Sequence, residues 1–342
     1  MKAFAPWMHV LLLCLPALPA PAAPAMPLLP PAYAGPGEKV EIAPGRALNL
    51  RCTGNGPRTV LLEAGANADS STWYRVQALL PAPVRACAYD RAGYGYSDEG
   101  PLPRDLEADV ADLAALVAAA GLDSPLLLVG HSLGSNIVRR YAQLHPRQVA
   151  GLVLVDPPPQ GADALMPAAW RSQDQATRAR RTAFLDACLA AAVDGRLDQA
   201  SGALASCLRA PPPWQDATVA AALRARKLQP AYCRTLRSEL EANAALFAAP
   251  VPAGEQHGDL PLLLLAAAPQ PPDRETPPDV AHALEQARMQ THSQLLASSR
   301  NSRRIELAGT SHDVQLDQPQ AVAAAIDAVL ALPATSAAAP AR

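Results

Sequence analysis

The chain has 342 residues, half of them apolar, which is enough for one large core or two modest ones. Its net charge is −2, and its 29 basic residues are scattered and almost all arginine, which argues against a nucleic-acid partner or an anionic membrane surface.

Residues 1–25 read as a secretory signal. Lys2 supplies the positive end, Val10 to Leu15 the apolar centre, and Ala23-Pro24-Ala25 a small-x-small cleavage site. The apolar run is far shorter than the roughly 20 residues that span a bilayer. The expectation is export to the periplasm or the exterior, with no stable membrane insertion once the signal is removed. Cys14 follows Leu-Leu-Leu rather than a small residue, which argues against a lipidated cysteine. Export lets disulfides persist, and without Cys14 there remain Cys52, Cys87, Cys188, Cys207 and Cys233, so at least one is unpaired.

Residues 26–38, rich in Pro and Ala, predict an extended leader with no packing role, and structure is expected to start near Lys39. Alternation in Val40 to Ile42 and in Ala47 to Cys52 predicts two antiparallel edge strands around the Pro44-Gly45 turn. The cluster Gly54-Asn55-Gly56-Pro57 then reverses the chain into a buried strand, Thr59 to Glu63. After Ala64-Gly65-Ala66-Asn67, the run Asp69-Ser70-Ser71-Thr72 can cap a helix from near Trp73. A further apolar strand, Val84 to Tyr89, leads into Asp90-Arg91-Ala92-Gly93-Tyr94-Gly95-Tyr96-Ser97. No Lys-Ser/Thr follows these glycines and no helix opens directly, so the segment reads as a structural turn braced by Asp90 and Arg91 rather than a phosphate loop.

Asp105 to Ala120 repeats apolar residues at helical intervals, with acids early where the helix dipole favours them, and Gly121 ends it. Leu126 to Val129 is a buried strand that turns through Gly130-His131-Ser132-Leu133-Gly134 into a helix ending before Pro146. Gly151 to Val155 gives one more strand, ending at Asp156. This alternation from 59 to 156 predicts a parallel sheet covered on both faces. After Pro157-Pro158-Pro159 the rhythm breaks, and residues 160–250 are helix-rich with no convincing strand. Helices near 172–193, 216–226 and 231–247 read as a cap inserted into the sheet domain, whose two parts are then 39–159 and 251–332. The second part holds strands at Leu260 to Ala266 and Arg304 to Leu307, a helix over about 279–298 and a final amphipathic helix, Pro319 to Leu332. Residues 333–342 are expected to be disordered.

Strand, sharp turn and helix with Ser132 at the apex make a nucleophile elbow. A serine hydroxyl is a poor nucleophile unless it stands clear of its backbone, and the tight turn achieves this at the cost of a strained serine. The strand and helix then pass too close for side chains, which explains Gly130 and Gly134 on either side. Such a serine needs a base, and a carboxylate to orient that base. Of seven histidines, only His312 follows the last strand, in Gly309-Thr310-Ser311-His312-Asp313, where a loop can return to the top of the sheet. His9 lies in the signal, His131 within the elbow, His145 at the end of the next helix and His257 in a loop, while His282 and His292 lie on a helix.

Over residues 39–332 the chain resembles the α/β-hydrolase-fold serine hydrolases, in the elbow, the Asp90 to Ser97 turn, the helical segment after the sixth strand and the late histidine loop. The resemblance implies a mostly parallel eight-stranded sheet with helices on both faces and a cap after strand 6. It assigns activation of Ser132 to His312. The acid has two family positions: Asp156, directly after the sixth strand, and a site after the seventh, where the first carboxylate here is Asp273, with Asp279 beyond it. Asp156 is preferred over Asp273, with Asp279 third, and the choice between the first two stays open; for Asp156 the other reading is a turn-capping carboxylate. Two backbone N–H groups should form the oxyanion hole. One belongs to Leu133, and by resemblance the other to Ala66, although many relatives have His-Gly where this chain has Ala64-Gly65. In the resembled sheet order the strand of Cys52 neighbours that of Cys87, so these can pair. Cys188 and Cys207 enclose a loop of the cap and form the second candidate pair, leaving Cys233 free.

No metal-ligand cluster or cofactor fingerprint is apparent, so no cofactor or metal is expected. The function implied is hydrolysis of a carboxylic ester of a small or medium organic substrate through an acyl-enzyme. Amide or peptide cleavage, lactone opening and acyl transfer use the same three groups and stay open, as does a non-catalytic binding protein on a retained scaffold. Epoxide and halide chemistry in this fold uses a carboxylate where this chain has Ser132.

Overall fold

The computed structural model describes residues 27–122, 125–269 and 276–332, without the side chains of residues 171 and 172. The expected signal, the tail 333–342 and Asp273 lie outside the described residues. Eight strands form one sheet: β1 (Glu38–Ala43), β2 (Arg46–Thr53), β3 (Arg58–Glu63), β4 (Val84–Tyr89), β5 (Leu126–His131), β6 (Val149–Val155), β7 (Leu262–Ala267) and β8 (Ser302–Leu307). Their order is β1-β2-β4-β3-β5-β6-β7-β8. The β1–β2 and β2–β4 pairs are antiparallel, and every pair from β4 to β8 is parallel. Of the two strands expected at an edge, only β1 is there, because β2 pairs on its other side with β4.

The helices are α1 (Tyr74–Leu79), α2 (Leu106–Ala119), α3 (Leu133–Leu144), α4 (Ala168–Val193), α5 (Ala217–Lys227), α6 (Pro230–Ala248), α7 (Pro278–Ala297), α8 (Val314–Asp317) and α9 (Pro319–Leu330). The uninterrupted apolar runs of the strands follow from helices on both faces, since alternate residues must then bury in opposite directions. Leu61, Leu126, Leu128, Leu152 and Leu154 join the core made with α2, α3 and α7. Their neighbours Val60, Leu62, Leu127, Val129, Val153 and Val155 join the core made with α1, α8 and α9. Asp105 caps α2, its carboxylate accepting from Ala108 N at 2.9 Å.

Helices α4, α5 and α6 are inserted between β6 and β7, at the C-terminal end of the parallel strands; α4 and α6 bury a cluster around Leu185, Ala191, Tyr232 and Leu236 that also takes in Tyr94. A disulfide joins Cys188 to Cys207 within this insertion, a second joins Cys52 to Cys87 across β2 and β4, and Cys233 is free and buried. No helix among the described residues is long and apolar enough to cross a membrane.

The segment before β1 departs from expectation. Leu29 and Tyr33 are buried with Tyr74, Trp214, Val219, Leu223 and Leu316, and Leu29 N donates to Trp214 O at 2.7 Å. This stretch ties the sheet domain to the insertion instead of trailing free. A composition dominated by Pro and Ala conceals it, because two isolated large side chains carry the packing.

Candidate active site

Ser132 closes β5 and opens α3 with φ 51° and ψ −121°, a left-handed backbone that costs a non-glycine residue about 1–3 kcal/mol. Its own N–H donates to Val155 O at 3.0 Å, tying the turn to β6. A Cβ on Gly130 would lie 2.4 Å from Gly134 O, and one on Gly134 would lie 2.5 Å from Glu63 O. Neither position accepts a side chain. Among the described residues, the other non-glycine residues with positive φ are Asn67 and Asp156. All three lie at or just beyond the C-terminal ends of parallel strands, where open α/β sheets form their binding crevice.

Asp156 directly follows β6. Its N–H donates to Leu265 O at 2.7 Å and its Oδ1 accepts from Ala267 N at 3.0 Å, so β7 holds both ends of the residue. His312 Nδ1–H donates to the remaining oxygen, Oδ2, at 2.6 Å. This bond fixes the histidine tautomer and leaves Nε2 as a proton acceptor. Burial acts to lower the His312 pKa, but the hydrogen bond and charge of Asp156 outweigh it and hold the imidazole above its ordinary range. Asp279 is exposed in the first turn of α7, where its carboxylate accepts from Val280 N at 3.0 Å.

His131 links the elbow to the His312 loop. The two rings lie 4.7 Å apart, and His131 Nε2–H donates to the His312 carbonyl at 2.9 Å. Burial first, and then the nearby His312 charge, push the His131 pKa down to about 3, so it is a neutral spacer through the working pH range. The sequence placed His131 in the elbow without assigning it this contact, and nothing in the spacing signals it.

The loop after β3 carries Ala66. Arg91 Nη1 donates to Ala64 O and Nη2 to Gly65 O, each at 2.7 Å. In a trans peptide the N–H points opposite to the carbonyl. Drawing the Gly65 carbonyl toward Arg91 therefore turns Ala66 N–H to the other side. A Cβ on Gly65 would lie 3.2 Å from Ser132 Cβ, so this loop is packed directly against the elbow.

Arg91 is buried between two further carboxylates, Glu63 Oε1 and Glu239 Oε2, both at 2.8 Å. Glu239 comes from α6, and its other oxygen accepts from Asn67 N at 2.8 Å and Tyr94 OH at 2.9 Å. The insertion thus grips the Ala66 loop from above. Asp90 braces its own turn as expected, accepting from Ser70 N, Tyr96 N and Asn49 Nδ2. Arg91 does not brace that turn alone but reaches the Ala66 loop and α6. An acid ending an apolar strand, Glu63, and an arginine just after a neighbouring strand were the available signs of this contact; Glu239 on a helix of the insertion had none.

A family model described as the alpha/beta hydrolase family matches residues 60–325. The chain belongs to that family. Among curated relatives, lipase LipV of Mycobacterium tuberculosis is 38% identical over 103 residues, 30% of this chain and 38% of that protein. An N-formylmaleamate deformylase of Pseudomonas putida is 38% identical over 113 residues, 33% of this chain and 41% of that one. These matches span less than half the length of each relative. Among solved structures, a probable hydrolytic enzyme of Pseudomonas aeruginosa superposes with a TM-score of 0.59 at 22% identity, covering 84% of this chain and 90% of that one. An esterase of Exiguobacterium antarcticum gives 0.56 at 14% identity, covering 86% and 100%. At such identities the structural likeness establishes the fold.

In this alpha/beta hydrolase a cavity of about 350 Å³ lies between the sheet domain and the insertion. It touches Ala66 and the Pro158-Pro159 segment that follows Asp156, and is walled by Trp170, Leu240 and Phe247 from the helices above. Its size suits a small organic molecule.

Proposed function

We propose that the protein is an exported serine hydrolase that cleaves a carboxylic ester of a small or medium organic molecule. The observation that carries this reading is the 2.6 Å bond from His312 Nδ1 to Asp156, beside the strained turn that presents Ser132. Ser132 Oγ attacks the ester carbonyl while His312 Nε2 takes its proton, and Asp156 stabilises the imidazolium. The negative charge on the tetrahedral oxygen is met by the N–H groups of Leu133 and Ala66. Collapse expels the alcohol, which receives the proton from His312. Water, deprotonated by the same nitrogen, then attacks the acyl-enzyme and releases the carboxylic acid and free Ser132.

The helical insertion acts as a cap that limits substrate size, and the two disulfides accord with an oxidising compartment. A serine at the elbow argues against epoxide opening and dehalogenation, where a carboxylate attacks. A lipase and a deformylase among the relatives support a hydrolytic reading of this chain.

The test is a panel of short- and medium-chain esters alongside matched amides and lactones, run with the wild type and Ser132→Ala. The expected result is ester turnover that falls by about 10³-fold or more in the variant. Turnover that survives the substitution, or is confined to amides or lactones, contradicts the reading.

A further inference from the structure

Ala66 sits between two peptide groups, and the fold ties down both. Before it, Arg91 Nη2 draws the Gly65 carbonyl at 2.7 Å, and after it, Asn67 N–H donates to Glu239 Oε1 at 2.8 Å. Asn67 itself has φ 54°, a left-handed backbone that asparagine adopts more readily than most residues but that persists only where its surroundings hold it. Its side chain has a separate anchor. Tyr232 OH donates to Asn67 Oδ1 at 2.7 Å.

Tyr232 lies in the first turn of α6, only 6% exposed, with its ring edge-on to Tyr94 at 5.9 Å between centroids. The insertion therefore meets Asn67 twice, at the backbone through Glu239 and at the side chain through Tyr232. These contacts differ in kind. Glu239 also pairs with Arg91, so its loss disturbs buried charge, whereas the Tyr232 hydroxyl can be removed with its packed ring left in place.

We infer that Tyr232 is a positioning residue for the reaction: through Asn67 it holds the turn that aims Ala66 N–H at the oxygen of the tetrahedral intermediate. This rests on the reading of Ala66 N–H as an oxyanion donor beside Ser132. Such a donor is worth most once negative charge has developed, so the contribution of Tyr232 falls on the transition state and not on substrate binding.

The experiment compares the wild type, Tyr232→Phe, Asn67→Gly and the double variant. It measures kcat and KM for a short-chain ester, and affinity for a trifluoromethyl ketone, to whose carbonyl carbon Ser132 Oγ adds to leave a tetrahedral oxyanion. Tyr232→Phe should lower kcat by about ten- to a hundredfold with KM changed by about threefold or less. Affinity for the ketone should fall by a similar factor, and the acid limb of the pH profile, which reports His312, should stay in place. Glycine takes the positive φ freely but offers no oxygen to Tyr232, so Asn67→Gly should show a similar loss. The double variant should then lie within about threefold of the weaker single variant, because the hydroxyl has nothing left to act through.

A Tyr232→Phe enzyme with kcat within about threefold of the wild type overturns the inference, even if it melts lower, since the hydroxyl would then serve folding alone. So does a loss of kcat with unchanged ketone affinity, or a pair of losses that multiply in the double variant. A failure of the underlying reading is distinct: the wild type itself would neither turn over the ester nor bind the ketone, and this inference would fall with it.

Discussion

Asp156→Asn should lower kcat by about 10³- to 10⁴-fold while leaving the fold intact, since removing the orienting acid of such a triad is worth that much. The amide can still occupy the space, but it neither stabilises an imidazolium nor selects the tautomer that exposes a basic Nε2. The pH profile gives an independent reading. Burial alone would lower the His312 pKa, and the Asp156 hydrogen bond and charge reverse the sign. The base works when neutral, so the acid limb of kcat/KM in the wild type should have its midpoint above the ordinary histidine value of about 6.5. In Asp156→Asn burial is opposed by the Asp313 charge alone, and the midpoint should move down from its wild-type position. A kcat within tenfold of the wild type, with an unmoved acid limb, would show that Asp156 does not serve His312.

The same shift has a consequence for stability. A histidine whose folded pKa is raised contributes stabilisation that is fully present below its unfolded pKa and is lost as pH rises through the folded one. The His312–Asp156 pair should therefore add least to stability at alkaline pH, where the enzyme has its base fully in the neutral form.

Arg91→Met should be the most damaging single change outside Ser132, His312 and Asp156. Arg91 is 3% exposed and faces Glu63, Glu239 and Asp109, all buried. Removing it leaves buried carboxylates unpaired, at about 3–5 kcal/mol. Burial already raises Glu63 to about 7 against the opposing charge of Arg91, so it should take up a proton at neutral pH in the variant, whereas Asp109 keeps its ion pair with Arg104 at 2.6 Å. The variant also releases the carbonyls of Ala64 and Gly65, and with them the aim of Ala66 N–H. Loss of one oxyanion donor costs about 10²- to 10³-fold in kcat. Arg91→Lys separates the two effects. A lysine restores the charge but lacks the fork that holds two adjacent carbonyls, so melting temperature should recover further than kcat. Equal recovery of both would mean that Arg91 acts on folding alone.

Much of the fold was legible because local chemistry and global architecture agree. Strand runs such as Leu126 to Val129 are apolar on both faces, and only a sheet covered on both sides needs that. The elbow was legible for a related reason: Gly130 and Gly134 sit where the backbones pass too closely for any side chain. What escaped the sequence are contacts made across the fold by residues whose local pattern is unremarkable. Leu29 and Tyr33 sit in a Pro/Ala-rich segment, and their burial depends on Trp214 in the distant insertion. Glu239 and Asn243 have ordinary helical positions on α6, and only the seating of that helix over the Ala66 loop gives one a guanidinium and the other a cavity wall. The acid remained open for a similar reason. Asp156 and Asp273 follow adjacent parts of the sheet, and spacing alone does not say which one meets a histidine 156 residues further along from the first.

The claim on which the account turns is that Ser132 is an activated nucleophile, and covalent labelling by a fluorophosphonate measures this without knowledge of the substrate. The folded wild type should acquire one adduct, mapped by peptide mass to Ser132, and Ser132→Ala and His312→Ala should acquire none at the same exposure. An adduct that persists in Ser132→Ala, or a folded wild type that takes up no probe, would contradict it.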